Sequence, residues 1–170
     1  ELAARYSEGG CDELVFYDIT ASAERRGPDL AMVASVARVI HIPFAVGGGI
    51  GNVADIGRAL EAGAEKISLN TLAVLQPSLI AEGARAFGSQ CIVVGMDPIR
   101  SPDDPRFPSG YEITIRGFRE RTGLDALAWA RRAASLGAGE LVLNSVDADG
   151  TGRGFDLELT RRIAAEVPVP

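Results

Sequence analysis

Apolar, strand-forming runs recur along the chain, each closed by a small or acidic polar residue and each followed by a helical pattern. Leu14-Val15-Phe16-Tyr17 ends in Asp18, and Pro43-Phe44-Ala45-Val46 ends in Gly47-Gly48-Gly49. Lys66-Ile67-Ser68-Leu69 ends in Asn70, Cys91 to Met96 ends in Asp97, and Leu141-Val142-Leu143 ends in Asn144-Ser145. Strand–helix alternation at this pitch predicts an α/β fold with a parallel sheet. Such sheets, open or closed into a barrel, bind ligands at the carboxyl ends of their strands. The residues that close the runs are therefore the candidates for chemistry.

The helical patterns are expected over residues 1–8, 30–40, 52–63, 77–87, 124–136 and 157–166. Leu2, Ala3 and Tyr6 share one face of the first, Asn52 opens the third, Pro77 suits a first turn, and Asp156 is placed to cap the last. The stretch 98–121 breaks the rhythm. Pro98, Pro102, Pro105 and Pro108 are followed by the alternating Tyr111-Glu112-Ile113-Thr114-Ile115-Arg116, which predicts an excursion above the sheet with a hairpin-like ribbon. A mobile proline-rich loop is the alternative. Gly10-Cys11-Asp12-Glu13-Leu14-Val15 is echoed by Gly137-Ala138-Gly139-Glu140-Leu141-Val142, as expected of two related halves. A (β/α)8 barrel takes roughly 250 residues, so a chain of 170 holds about two thirds of one. Residues 1–170 are read as a single domain.

Composition narrows the function classes. Charged residues make up 24% of the chain and the net charge is −6 with both signs interspersed, which argues against a nucleic-acid footprint or a basic membrane patch. It leaves room for a phosphorylated ligand held by backbone N–H groups. Cys11 and Cys91 lie in or beside strand runs and read as buried free thiols, which fits a reducing cytoplasm. With His41 as the single histidine and no paired cysteines, a zinc site or a histidine-based triad is not expected.

Gly47-Gly48-Gly49-Ile50 lies between a strand and a helix, where glycine lets the backbone approach a phosphate closely; a tight turn is the alternative. Asn70-Thr71, at the next strand end, reads either as a helix cap or as the completion of that cradle. Asp149-Gly150-Thr151 runs into Gly152 and Gly154 and reads as a second anion-binding loop, or as a turn. Asp18 and Asp97 close two strands, where a carboxylate moves a proton if burial raises its pKa toward neutrality; a loop-capping role is the alternative for each.

Taken together, these stretches resemble the cyclase subunit of imidazole glycerol phosphate synthase, from histidine biosynthesis. The resemblance rests on Asp12 to Ser22, Pro43 to Ile50, Lys66 to Thr71, Phe87-Gly88-Ser89-Gln90 leading to Asp97, and Gly137 to Thr151. It implies a (β/α)8 TIM barrel of two similar halves, with this chain holding about strands two to six. The implied activity takes ammonia from a glutaminase subunit in a heterodimer. It cleaves and cyclises a bisphosphorylated ribulosyl-formimino aminoimidazole carboxamide ribonucleotide to imidazole glycerol phosphate and an aminoimidazole carboxamide ribonucleotide. No cofactor or metal is implied.

Residue by residue, the resemblance places Asp97 on the catalytic aspartate of the fifth strand; its first-strand counterpart falls before this chain. Gly49, with Gly48 beside it, Asn70 and Thr71 fall on the first phosphate site. Asp149 and Gly150, with Ser145 at the preceding strand end, fall on contacts to the other end of the substrate. Asp18 matches a polar active-site aspartate. Glu13, Lys66 and Glu140 match a charged ring at an ammonia entrance; alternation puts Lys66 on the face of Asn70 but separates Glu13 from Asp18 unless a bulge intervenes. Gly152-Arg153 stands where a lysine usually follows Asp-Gly-Thr, and Gly95-Met96 and Pro98 flank Asp97 where a small aliphatic residue, Ile and Ala are usual. Two rival readings remain, the sister phosphosugar isomerase of the same pathway and a catalytically silent barrel fragment. Five strands cannot close an eight-strand barrel, so a chain limited to them is expected to self-associate and to be inactive with ammonia supplied directly.

Overall fold

The computed structural model describes residues 1–21 and 26–170. Ser22, which ends the Asp18-to-Ser22 stretch of sequence, lies outside the described residues. The chain opens with α1 (Leu2–Glu8), followed by β1 (Leu14–Tyr17), α2 (Leu30–Ala37), β2 (Phe44–Gly47), α3 (Val53–Glu61) and β3 (Lys66–Leu69). It continues with α4 (Thr71–Leu75), α5 (Ser78–Phe87), a 3-10 turn over Ser89–Cys91, and the long strand β4 (Ile92–Arg100). Then come β5 (Tyr111–Ile115), β6 (Glu120–Asp125), α6 (Ala126–Ser135), β7 (Glu140–Leu143) and α7 (Leu157–Glu166).

The strands β1, β2, β3, β4 and β7 lie side by side in that order and all are parallel. Sequential strands joined by helices are thus spatial neighbours, the α/β arrangement that the alternation predicts. Register and the two-residue period sort the side chains. Leu14, Phe16, Phe44, Val46, Ile67, Leu69, Ile92, Val94 and Met96 join one core with Val33, Ile56, Leu79, Ile80, Leu127, Ala130, Leu159 and Ile163 of the helices. The opposite face carries Val15 and Tyr17, Ala45 and Gly47, Lys66 and Ser68, and leads up to the strand ends. Lys66, Asn70, Asp97 and Asn144 fall on this face by the same alternation.

Helix starts follow from local chemistry. Asn52 accepts from the N–H of Asp55 at 3.0 Å while the Asp55 carboxylate accepts from Gly51 N–H at 2.8 Å, so orphan donors on both sides of the start are satisfied reciprocally. Asp29, Asp125 and Asp156 cap the N–H groups of Met32, Ala128 and Leu159. Each such cap contributes about 1 kcal/mol.

The structure departs from the sequence-based expectation at several points. The excursion is an ordered antiparallel ribbon: β4 runs on past the sheet and pairs with β5 through Asp97↔Thr114 to Arg100↔Tyr111, and β5 pairs with β6. Leu124 belongs to β6, so α6 begins at Ala126, after the Asp125 cap. On α1, Leu2 and Tyr6 are exposed and Ala3 alone of that trio packs on the core, because a single adjoining strand covers only a narrow stripe of the helix. Cys11 and Cys91 are free but only half-buried, since each sits just before its strand enters the sheet. Asn70 stands at the start of α4, yet its side chain makes no cap bond.

Candidate active site

Asp97 occupies the point where β4 leaves the parallel sheet and turns to pair with the ribbon. Its carboxylate is buried, 6% exposed. The Asn70 amide at the end of β3 donates to Oδ2 at 2.8 Å, and the Asn144 amide after β7 faces Oδ1 at 3.5 Å. The Thr114 hydroxyl on β5 donates to the Asp97 main-chain carbonyl at 2.7 Å. Burial pushes the Asp97 pKa up and the nearby Asp149 charge adds to this, against the opposite pull of the two amides. The result is a fixed carboxyl with a raised pKa at a strand end, the arrangement that lets an acid or base work near neutral pH.

At the end of β2, separated from β4 by β3, Gly48 and Gly49 adopt φ of 93° and 72°, in the left-handed region open to glycine. A Cβ at Gly48 would lie 2.2 Å from the Asp18 carbonyl oxygen, and one at Gly49 would lie 2.8 Å from Pro28 N, so backbone crowds the glycine loop on that side. The Thr71 hydroxyl accepts from the N–H of Arg116 at the ribbon tip, at 3.0 Å. Arg116 and Phe118 hold positive φ there, 57° and 69°, which only a well-anchored turn sustains.

Asp18 turns to its own loop. Arg26 donates to both its oxygens at 2.5 and 2.8 Å, and the N–H groups of Thr20 and Ala21 donate to Oδ1. The Arg26 hydrogen bonds hold its carboxyl below the usual range despite a partial burial that acts the other way. On the far side of Asp97, Ser145 is buried with its hydroxyl 3.4 Å from Asp156, while Asp149 is exposed and Gly150 has φ 68°. A cavity of about 210 Å³ lies between Asn144, Ser145, Asp149, Gly150 and Phe155.

At the amino ends of the strands Lys66 Nζ stands 2.7 Å from both Glu13 and Glu140, the equivalent glutamates of the internal echo. Burial alone would lower the Lys66 pKa; the paired carboxylates outweigh it and hold the ammonium above its usual value.

The folded chain thus brings Asp97 together with Asn70 and Asn144, and Lys66 with Glu13 and Glu140. Gly48 lies against the Asp18 backbone, whereas the Asp18 carboxylate bonds within its own loop. β1 pairs with β2 in unbroken register, so no bulge brings Glu13 and Asp18 to one face. Sequence reasoning missed the pairing of Asn144 with Asp97 and the contributions of Thr114, Arg116 and Arg26. Parity along β7 gives a signal for Asn144, because Glu140, Val142 and Asn144 alternate onto one face.

The whole chain, residues 1–170, matches the family described as Histidine biosynthesis protein. It belongs to that family. Curated relatives include imidazole glycerol phosphate synthase subunit HisF of Desulfovibrio desulfuricans, 61% identical over 170 residues, that of Syntrophobacter fumaroxidans, 58% identical, and that of Desulfosudis oleivorans, 56% identical. Each match covers 100% of this chain and 66% of the relative, so the chain spans a little under two thirds of their length. Histidine biosynthesis proteins are thus the setting in which the buried Asp97 centre and the Lys66 pair are to be understood.

Proposed function

We propose that this chain carries the cyclase chemistry of imidazole glycerol phosphate synthase, its parallel strands β1, β2, β3, β4 and β7 being strands two to six of a (β/α)8 barrel. The observation that carries the reading is the Asp97 carboxyl, buried at a strand end between two amides. The identity of the curated relatives, each an imidazole glycerol phosphate synthase subunit, supports the same reaction over that of a sister isomerase.

Asp97 exchanges a proton with the substrate as ammonia nitrogen enters, a carbon–nitrogen bond breaks and the imidazole ring closes. A second aspartate, on a strand preceding β1, takes the opposite proton role. One phosphate rests on the backbone of Gly48 and Gly49 and on the Asn70-Thr71 strand end. The other end of the substrate meets Ser145, Asp149 and Gly150, with Asp18 at the loop beside the first phosphate. A glutaminase subunit docks at the amino ends of the strands, and ammonia passes the layer of Glu13, Lys66 and Glu140 when their ion pairs part. The chemistry needs no cofactor, and the setting is the cytoplasm.

The test is ammonia-dependent turnover by the purified full-length protein. We expect both products from the bisphosphorylated substrate, and we expect Asp97→Asn to bind it normally with turnover reduced about 10²–10⁴-fold. Near-normal turnover by that variant, or isomerisation without ammonia by the wild type, would overturn the reading.

A further inference from the structure

The side chain of Asn70 has one satisfied end and one orphaned end. Its Nδ2 donates to Asp97 at 2.8 Å, while its Oδ1 is buried without a hydrogen-bond partner. A buried carbonyl oxygen left unpaired costs about 1–3 kcal/mol, a cost carried here by the end of the side chain turned away from Asp97. A Cβ at Gly95 would stand 3.4 Å from both Cβ and Nδ2 of Asn70, at van der Waals contact, so β4 packs closely against this amide.

Nδ2 is engaged by Asp97, while Oδ1 is closed off and, as an acceptor, would repel a phosphate oxygen. We propose that the Asn70 side chain belongs to the proton-transfer centre and not to the phosphate cradle: its N–H positions the Asp97 carboxylate. This rests on the cyclase reading given above. The backbone of Asn70 and Thr71 stays with the phosphate. Asn70 is therefore a positioning residue for Asp97. The groups that face Asp97 are Asn70 from β3, Asn144 from the end of β7, Thr114 from β5 at the main chain, and the Asp149 charge from the loop after β7.

The experiment uses the purified full-length protein, inorganic phosphate as the probe of the cradle, and carbon-13 NMR of the Asp97 carboxyl as the probe of the centre. In Asn70→Ala we expect phosphate affinity, read from the Gly48 and Gly49 amides, to stay within about twofold. We expect Asp97 to titrate at higher pH than in the wild type, because a donor to its ionised form is gone. We expect kcat to fall with KM little changed. Phosphate affinity weakened about tenfold, or an Asp97 titration that does not move, would overturn the proposal. Should Asn70→Ala not fold, the wild type decides. The Asn70 Nδ2 resonance must follow the Asp97 titration and must not follow added phosphate; the reverse overturns the proposal. Failure of the wild type to bind phosphate or to turn over substrate would sink the cyclase reading instead, while the titrations still decide the pairing of Asn70 with Asp97.

Discussion

The Thr114 hydroxyl donates to the main-chain carbonyl of Asp97 at 2.7 Å, and both residues are buried, 1% and 6% exposed. The contact ties the ribbon to the strand end that carries the buried Asp97 carboxyl. With the bond from Arg116 N–H to Thr71, it makes β5 a brace across the ends of β3 and β4. Thr114→Val keeps the side-chain shape and removes the donor. We expect a loss of about 1–3 kcal/mol in denaturant unfolding, from a buried carbonyl left short of a partner. A fall in kcat should accompany it as Asp97 loses its fixed aim.

Asp97 itself is expected to trade stability for function. Its carboxyl is raised in the folded state, chiefly by burial. A raised carboxyl favours folding only below the unfolded value of about 3.9 and opposes it as pH rises through the folded value. Asp97→Asn should therefore be more stable than the wild type at neutral pH, and the gain should vanish in acid. Urea unfolding at a series of pH values reads both limits.

The Lys66 cluster has the opposite dependence on pH. Its pairs are partly exposed, with side chains 23–30% accessible, so each contributes about 0–1 kcal/mol. The Lys66 pKa is raised, so the stabilisation is present below about 10.4 and is lost as pH rises through the folded value. Lys66→Met should be slightly less stable than the wild type at neutral pH and equal to it in strong alkali. On the proposed function, Lys66→Met assembled with a glutaminase subunit should lose glutamine-dependent turnover more than ammonia-dependent turnover, a ratio measured directly from the two assays.

Asp156 joins α7 to the ribbon. It caps Leu159 N–H at 3.1 Å and accepts from Arg100 at 2.9 Å and from the Tyr111 hydroxyl at 3.2 Å. Burial pushes its pKa up, but the Leu159 N–H and Arg100 outweigh it and hold the carboxyl low. Asp156→Ala should cost about 1–2 kcal/mol through the lost cap alone. A lowered carboxylate stabilises above the unfolded value of about 3.9 and loses this as pH falls through the folded value, so the difference should shrink in acid. The Tyr111 hydroxyl, pushed up to about 12 by burial and by the Asp156 charge, should ionise more readily in that variant, as spectrophotometric titration would show.

Gly48 permits no side chain. Its φ of 93° and a Cβ position 2.2 Å from the Asp18 carbonyl oxygen require backbone to move. Gly48→Ala should cost more than the roughly 1 kcal/mol of an ordinary glycine-to-alanine strain and should weaken phosphate binding. Thermal unfolding and phosphate titration of the same sample check both effects.

Strand positions, helix starts and the polar residues at strand ends were legible in the sequence because they depend on local chemistry. An apolar run of four residues, an Asn, Asp or Pro before a helix, and a glycine after it each state their role within a few positions. Asn52 and Asp156 were legible as helix starts for that reason, whereas the Asp125 cap was not, and it places the start of α6 past Leu124. Which of two local roles a residue takes was not legible. Asn70 and Asp18 each suit a cap or a functional site, and nothing within their own segments chooses. The choice is made by Asp97, 27 positions from Asn70, and by Arg26, eight positions from Asp18. The sequence determined an α/β chain with its polar groups gathered at strand ends. The tertiary structure alone decided that Asn144 and Thr114 converge on Asp97 and that the two echoed glutamates share Lys66. Such contacts are set by strand register and sheet twist, which sum over the whole sheet and are written in no single segment.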